Sequence, residues 1–137
     1  IAKYKNMFTD ITEKKTTTYT VESYLGKSLD EVKNTLSANG IEVITIGSGD
    51  KVVKQSILKG EVLAPGEKIV LVTNSNHYEI PNMMRWSRKD ATSLLELLNI
   101  KYSIDGYGYV TNQSLPAGTL ITTDTEITLT LTNKYDL

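Results

Sequence analysis

Gly47-Ser48-Gly49-Asp50-Lys51-Val52-Val53-Lys54-Gln55-Ser56-Ile57-Leu58-Lys59-Gly60 and Gly106-Tyr107-Gly108-Tyr109-Val110-Thr111-Asn112-Gln113-Ser114-Leu115-Pro116-Ala117-Gly118 are two versions of one stretch. Each reads G-x-G, a β-branched core residue, Gln-Ser, an apolar residue and a glycine turn. The match continues outward. Ser28, Leu36 and Ile41 correspond to Ser87, Leu95 and Ile100 at an offset of about 59 residues, and Ile69 and Leu71 to Ile127 and Leu129 at about 58. One residue is thus missing from the second copy, between Gly108 and Val110. A repeat of this period settles the architecture before any single element does. The chain divides into a leader (1–18), module one (19–75) and module two (76–137).

Within module one, Ser28-Leu29-Asp30-Glu31 has the pattern of a capping box, in which Ser and Glu satisfy orphan N–H groups at a helix start. Leu29, Val32 and Leu36 follow on one face, and Asn39-Gly40 supplies the left-handed exit. In module two Ser87 caps, Asp90 takes the place of Glu31, and Ala91, Leu94, Leu95 and Leu98 form the stripe. Asn99 stands in for Gly40. Helices of about three turns are not stable alone in water and must pack on something. Strands are expected at Ile41–Ile46 and Ile100–Ile104, then at Val52–Ile57 and Val110–Leu115. A third strand in module two alternates Ile127, Leu129 and Leu131 with Thr128, Thr130 and Thr132, the mark of one buried and one wet face. Its counterpart Ile69-Val70-Leu71-Val72 is apolar throughout, which predicts that both its faces are covered. Each module is therefore α+β, one helix packed on a three-stranded, mainly antiparallel sheet.

Modules of this size are marginal on their own. The 137 residues contain no cysteine and one histidine, so neither disulfides nor a zinc site can reinforce them. Docking of one module on the other is the remaining source of stability. The connector Asn74–His77 is too short to hold them apart, and the apolar third strand of module one, with Tyr107 and Tyr109 of module two, is the surface such docking would hide. The formal net charge is −1, with Lys and Glu interspersed, so no basic face points to nucleic acid. No apolar run reaches membrane-spanning length. The chain opens at Ile1, which suggests a piece of something larger whose targeting segment lies elsewhere. In the leader, Ile1, Tyr4, Phe8 and Ile11 share one helical face and Glu13–Thr18 reads as a polar linker. That is the pattern of a tail carried over from a preceding domain, or of a frayed terminus.

Ile80-Pro81-Asn82-Met83, Trp86, Ser87, Asp90, Leu95, Ile100, Gly106-x-Gly108, Val110, Gln113-Ser114-x-Pro116-x-Gly118 and Ile127-x-Leu129, in that order, resemble the PASTA domain. The resemblance spans residues 19–133. PASTA domains belong to penicillin-binding proteins and to bacterial serine/threonine kinases. Two copies behind a domain tail, the glycine pair and the tryptophan before the helix cap are similar to the pair closing division-type class B penicillin-binding proteins. The resemblance implies a non-catalytic pair that supports or positions a transpeptidase at the septum. Its partners would be its own transpeptidase domain and division proteins, outside a membrane reached only through an absent N-terminal anchor. The alternative it implies is a pair of peptidoglycan-binding modules, in the same parent or in a kinase sensor. Glu22 where module two has Pro81, Arg85 where module one has Gly26, and Leu58 where module two has Pro116 depart from the pattern.

A transpeptidase of this class needs S-x-x-K, S-x-N and K-T-G. Ser56-Ile57-Leu58-Lys59 and Ser37-Ala38-Asn39 match the first two by accident. Their order is reversed, K-T-G is absent, and Ser56 lies in a strand rather than opening a buried helix. No catalytic residue, metal site or cofactor is therefore expected. Gly47-x-Gly49 and Gly106-x-Gly108 are turn glycines, since no helix N-terminus follows to receive a phosphate. His77 reads as a solvated connector residue.

The remaining signal is aromatic and basic. Trp86 sits between Arg85 and Arg88 around Ser87, and Tyr107 and Tyr109 flank Gly108. Aromatic faces with arginine fit a wall glycan or a carboxylate-bearing peptide. The competing reading makes Trp86 a staple packed against its own helix, and this is preferred. For Tyr107 and Tyr109, inter-module packing and a partner surface stand equal. These five residues are the candidate ligand or partner surface.

Overall fold

The computed structural model describes residues 17–133. The leader helix expected from Ile1, Tyr4, Phe8 and Ile11 lies outside the described residues. The first group of elements is β1 (Tyr19–Thr20), α1 (Leu29–Ala38), β2 (Glu42–Ile46), β3 (Val52–Gln55), β4 (Val62–Leu63) and β5 (Lys68–Thr73). The second is α2 (Arg88–Leu97), β6 (Lys101–Gly106), β7 (Tyr109–Gln113) and β8 (Glu126–Thr132). Each group carries a three-stranded sheet with its last strand in the middle, in the orders β2-β5-β3 and β6-β8-β7. β5 and β8 run parallel to the strand after the helix and antiparallel to the strand after the glycine loop. A short antiparallel pair, β1 with β4, completes the first group, so antiparallel pairings are in the majority.

The repeated Gln-Ser is what holds each copy together. Gln55 is buried; its Oε1 accepts from Tyr24 N–H (2.8 Å) and its amide donates to Glu22 O (2.9 Å) and Ile57 O (2.8 Å). Gln113 repeats this with Met83 N–H (2.9 Å), Pro81 O (3.0 Å) and Leu115 O (2.8 Å). One amide thus satisfies three backbone groups and clasps the segment before the helix to the end of the second strand. Next to it, Ser56 Oγ accepts from Val70 N–H and Ser114 Oγ from Thr128 N–H, each at 2.8 Å. These bonds end the strand early, so β3 and β7 stop at the glutamine instead of running two residues further as expected.

The helix ends follow the sequence with one exception. Ser87 Oγ accepts from Asp90 N–H (3.2 Å), and Gly40 and Asn99 take left-handed φ values of 79° and 56° at equivalent exits. The capping box expected at Ser28 is not formed. The glycine loop instead ties down the neighbouring residues: Leu29 N–H donates to Asp50 O (2.8 Å), and Val52 N–H to Lys27 O (3.0 Å). At Gly108 a side chain would collide with the Thr132 backbone, so the loop can lie against β8 only with glycine there.

Two cores result. Val21, Tyr24, Val32, Leu36, Ile41, Val52, Leu63, Ile69 and Leu71 fill the first module. Tyr19 covers it, its hydroxyl 2.6 Å from that of Tyr24; burial, then that bond, push its phenol pKa upward. The second core crosses the module boundary. Ile46, Val70 and Val72 of the first sheet join Trp86, Ala91, Leu94, Leu95, Ile100, Val110, Ile127, Leu129 and Leu131, with Ile44 and Tyr78 packed at the margin. α2 therefore lies between two sheets. The continuous apolar run in β5 has its explanation: Ile69 and Leu71 face one module, Val70 and Val72 the other. Docking occurs as expected, but Tyr107 and Tyr109 take no part in it. Polar pins close the junction: Lys68 Nζ lies 3.3 Å from Glu42 and 3.8 Å from Asp90, and Lys54 Nζ donates to Leu97 O (3.4 Å).

Candidate functional site

The candidate surface is assembled where the segment before α2 runs beside the start of β7. Arg85 N–H donates to Val110 O (2.7 Å), Val110 N–H to Trp86 O (2.9 Å), and Ser87 bridges Tyr109. This short pairing fixes Arg85, Ser87 and Tyr109 at one edge, with Arg88 in the first turn of α2 and Tyr107 on the adjoining loop. Arg85, Arg88, Tyr107 and Tyr109 all remain exposed, the tyrosines at 72% and 41%.

Trp86 departs from this group. It is 8% exposed and belongs to the inter-module core. The Lys68 ammonium stands 5.9 Å from its ring centroid, over the face that a sugar or peptide would need. Trp86 is a core residue that packs across the module boundary as well as against its own helix. An apolar residue just before the helix cap meets both demands, so the sequence does not separate them.

Arg85 carries a further signal. It has φ of 71°, at the position where module one has Gly26 with φ of 81°. A non-glycine residue in this region is strained by about 1–3 kcal/mol, and such strain gathers at functional positions. The same backbone bond is made in both copies, Gly26 N–H to Val52 O (2.8 Å) and Arg85 N–H to Val110 O. The fold therefore calls for glycine, and the arginine side chain is an addition to it.

The arrangement can present two guanidinium groups and two phenol rings to a carboxylate or a planar group. It has no acid–base pair. Tyr102, on β6, has its phenol held above the usual range, first by the hydrogen bond it donates to Glu96 (2.8 Å), with Arg88 acting in the opposite sense. Ser56 of the accidental S-x-x-K is occupied in the β3–β5 ladder: its N–H donates to Val70 O (2.9 Å) while its hydroxyl accepts from Val70 N–H. Among the described residues no three His, Asp or Glu side chains gather to hold a metal, and no helix is long and apolar enough to cross a membrane.

Comparison with known proteins bears on the whole arrangement. The PASTA domain profile matches residues 19–75 and again 78–133. Penicillin-binding protein 2X from Streptococcus thermophilus, a crystal structure, is 33% identical over 85% of this chain, with a TM-score of 0.76; the chain spans 17% of that protein's length. The three-PASTA-domain region of a Ser/Thr kinase from Staphylococcus aureus is 20% identical, with coverage of 83% and 66% and a TM-score of 0.35. The entire extracellular region of the Ser/Thr kinase PrkC from Staphylococcus aureus is 21% identical, with coverage of 82% and 46% and a TM-score of 0.35.

Proposed function

The chain belongs to the PASTA family, carried twice, and on that premise we propose that it is the non-catalytic pair of a penicillin-binding protein. In this reading the parent is a peptidoglycan D,D-transpeptidase of cell division. The pair lies on the outer face of the cytoplasmic membrane and positions or supports the enzyme at the septum through protein contacts. One observation carries the choice: the likeness to the Streptococcus thermophilus penicillin-binding protein extends across both modules. Arg85, Arg88, Tyr107 and Tyr109 are the contact surface, and Trp86 contributes by fixing the docked geometry.

The test follows the tagged, full-length parent in dividing cells after replacement of Arg85, Arg88, Tyr107 and Tyr109 by alanine. Septal enrichment should fall while labelling of the parent by a fluorescent penicillin persists. Unchanged enrichment would refute the reading. Titration of the two-module chain with a purified muropeptide distinguishes the rival, since saturable binding lost in the same variant would move the assignment to a wall-fragment sensor.

A further inference from the structure

β2 is an edge strand, paired on one side only. Glu42 N–H donates to Glu67 O (2.9 Å), next to β5. Peptide groups alternate sides along a strand, so residues 42, 44 and 46 face β5, while Val43 and Thr45 turn theirs to the open side. Among the described residues no turn, loop or side-chain hydrogen bond takes up the Thr45 peptide groups. Exposed edges are usually blunted by lysine, proline or a covering loop. The stretch Ile44-Thr45-Ile46 carries neither charge nor proline.

That edge opens on a cleft of about 300 Å³, walled by Thr45, Ile46 and Ser48 on one side and by Tyr78, Glu79 and Pro81 on the other. The second wall is itself extended: Ile80 N–H donates to Thr119 O (2.8 Å) and Ile121 N–H to Tyr78 O (2.9 Å). One wall comes from each module, so the cleft exists only in the docked pair. The wall does not move freely, because Tyr78 Oη donates to Thr73 O (2.8 Å) and Ser48 Oγ lies 3.1 Å from Ser75 Oγ. Glu79 is exposed at the rim and makes no ion pair among the described residues.

We propose that this cleft receives an extended segment of a partner protein, added as a strand along the Thr45 edge of β2, with a lysine or arginine set against Glu79. Main-chain hydrogen bonds to an open edge supply affinity, and the side chains at alternate positions supply selectivity. The lone carboxylate at the rim sets the charge of the occupant. The inference goes beyond the reading above: it names a second contact site, which shares no residue with Arg85, Arg88, Tyr107 and Tyr109.

The probe is a random dodecapeptide phage library panned on the immobilised two-module chain. Enriched sequences should carry a basic residue, and a synthetic peptide of that sequence should shift the amide resonances of Thr45 and Gly47. Thr45→Pro removes an outward N–H at an edge, where proline is tolerated, and Glu79→Lys reverses the rim charge. Each should weaken binding by about tenfold or more, and N-methylation of alternate peptide nitrogens should abolish it. N-methylation keeps the test valid even where Thr45→Pro perturbs the fold. Failure to enrich basic peptides, or binding indifferent to Glu79→Lys and to N-methylation, overturns the proposal. Either result leaves the septal localisation test standing, and a failure of that test leaves peptide binding at the cleft standing.

Discussion

The docking face can be rewritten with residues the chain already uses. Val70 and Val72 pair with Ile44 and Ile46 on the face of the first sheet that meets α2. At the equivalent positions module two has Thr128 and Thr130, on a wet face. Val70→Thr with Val72→Thr therefore changes polarity at nearly constant shape. Both valines are almost fully buried, so each new hydroxyl enters a site without a free partner, at about 1–3 kcal/mol. The two together cost roughly 2–6 kcal/mol if they add, and neighbours on one face couple enough to blur that sum. Against a total stability of about 5–15 kcal/mol for a chain of this kind, this is enough to undock the pair. Small-angle scattering should show the variant elongated, and urea unfolding should separate into two transitions where the parent chain gives one. A variant that keeps its compact profile and loses less than about 1 kcal/mol would refute the claim that this face holds the modules together.

Leu95→Ala, in the fully buried stripe of α2, should cost roughly 2–5 kcal/mol in chemical denaturation. Arg85→Gly should leave stability unchanged or raise it by up to about 1 kcal/mol, since it relieves a positive φ, while the partner contact is lost; a clear loss of stability would mean the arginine is structural. Neither the chain nor its Ser56→Ala variant should be acylated by a reporter penicillin, and mass spectrometry after incubation decides it. Alkaline titration tests the core of module one. The Tyr19 phenol is raised above its ordinary 10.0, so its contribution is complete below that pH and declines as pH rises through the folded-state value. Tyr19→Phe should flatten this decline, read as the change in urea midpoint between pH 8 and 11.

The module fold was legible because its signals are local and occur twice. Alternation in Ile127–Thr132, the glycine pairs and the left-handed exits at Gly40 and Asn99 each demand one backbone state, and the second copy repeats the demand. The parts that were missed depend on contacts far apart in sequence. Ser28 looks like a cap, yet the N–H beside it is taken by Asp50, more than twenty residues on. Gln55 and Gln113 were visible as a repeat, but an amide's role depends on which carbonyls surround it. Of the candidate surface, exposure of Tyr107 and Tyr109 follows from the loop, whereas burial of Trp86 depends on a sheet in the other module. Lys68, one of many lysines, gives no sign in the sequence that it pins the junction.

The asymmetry of the two copies says how far such an array can grow. In the first sheet Ile44 stands beside Val70 and Ile46 beside Val72; in the second the same places hold Ser103 beside Thr128 and Asp105 beside Thr130. The charged pair at the strand start is inverted, Glu42 with Lys68 against Lys101 with Glu126. On the helix side, Trp86 and Asp90, which meet the first sheet, have Lys27 and Glu31 as counterparts, and Leu97 has Ala38. Module one therefore has the receiving face without the inserting one, and module two the reverse. The contact is heterologous, the type that would run on into a chain if each unit had both faces. Here a third module placed after the second would meet a polar sheet and gain little apolar burial, at about 25 cal/mol per Å² of the area it could cover. The second sheet thus offers no apolar receiving face, and its polar side stays open to solvent beside Tyr109.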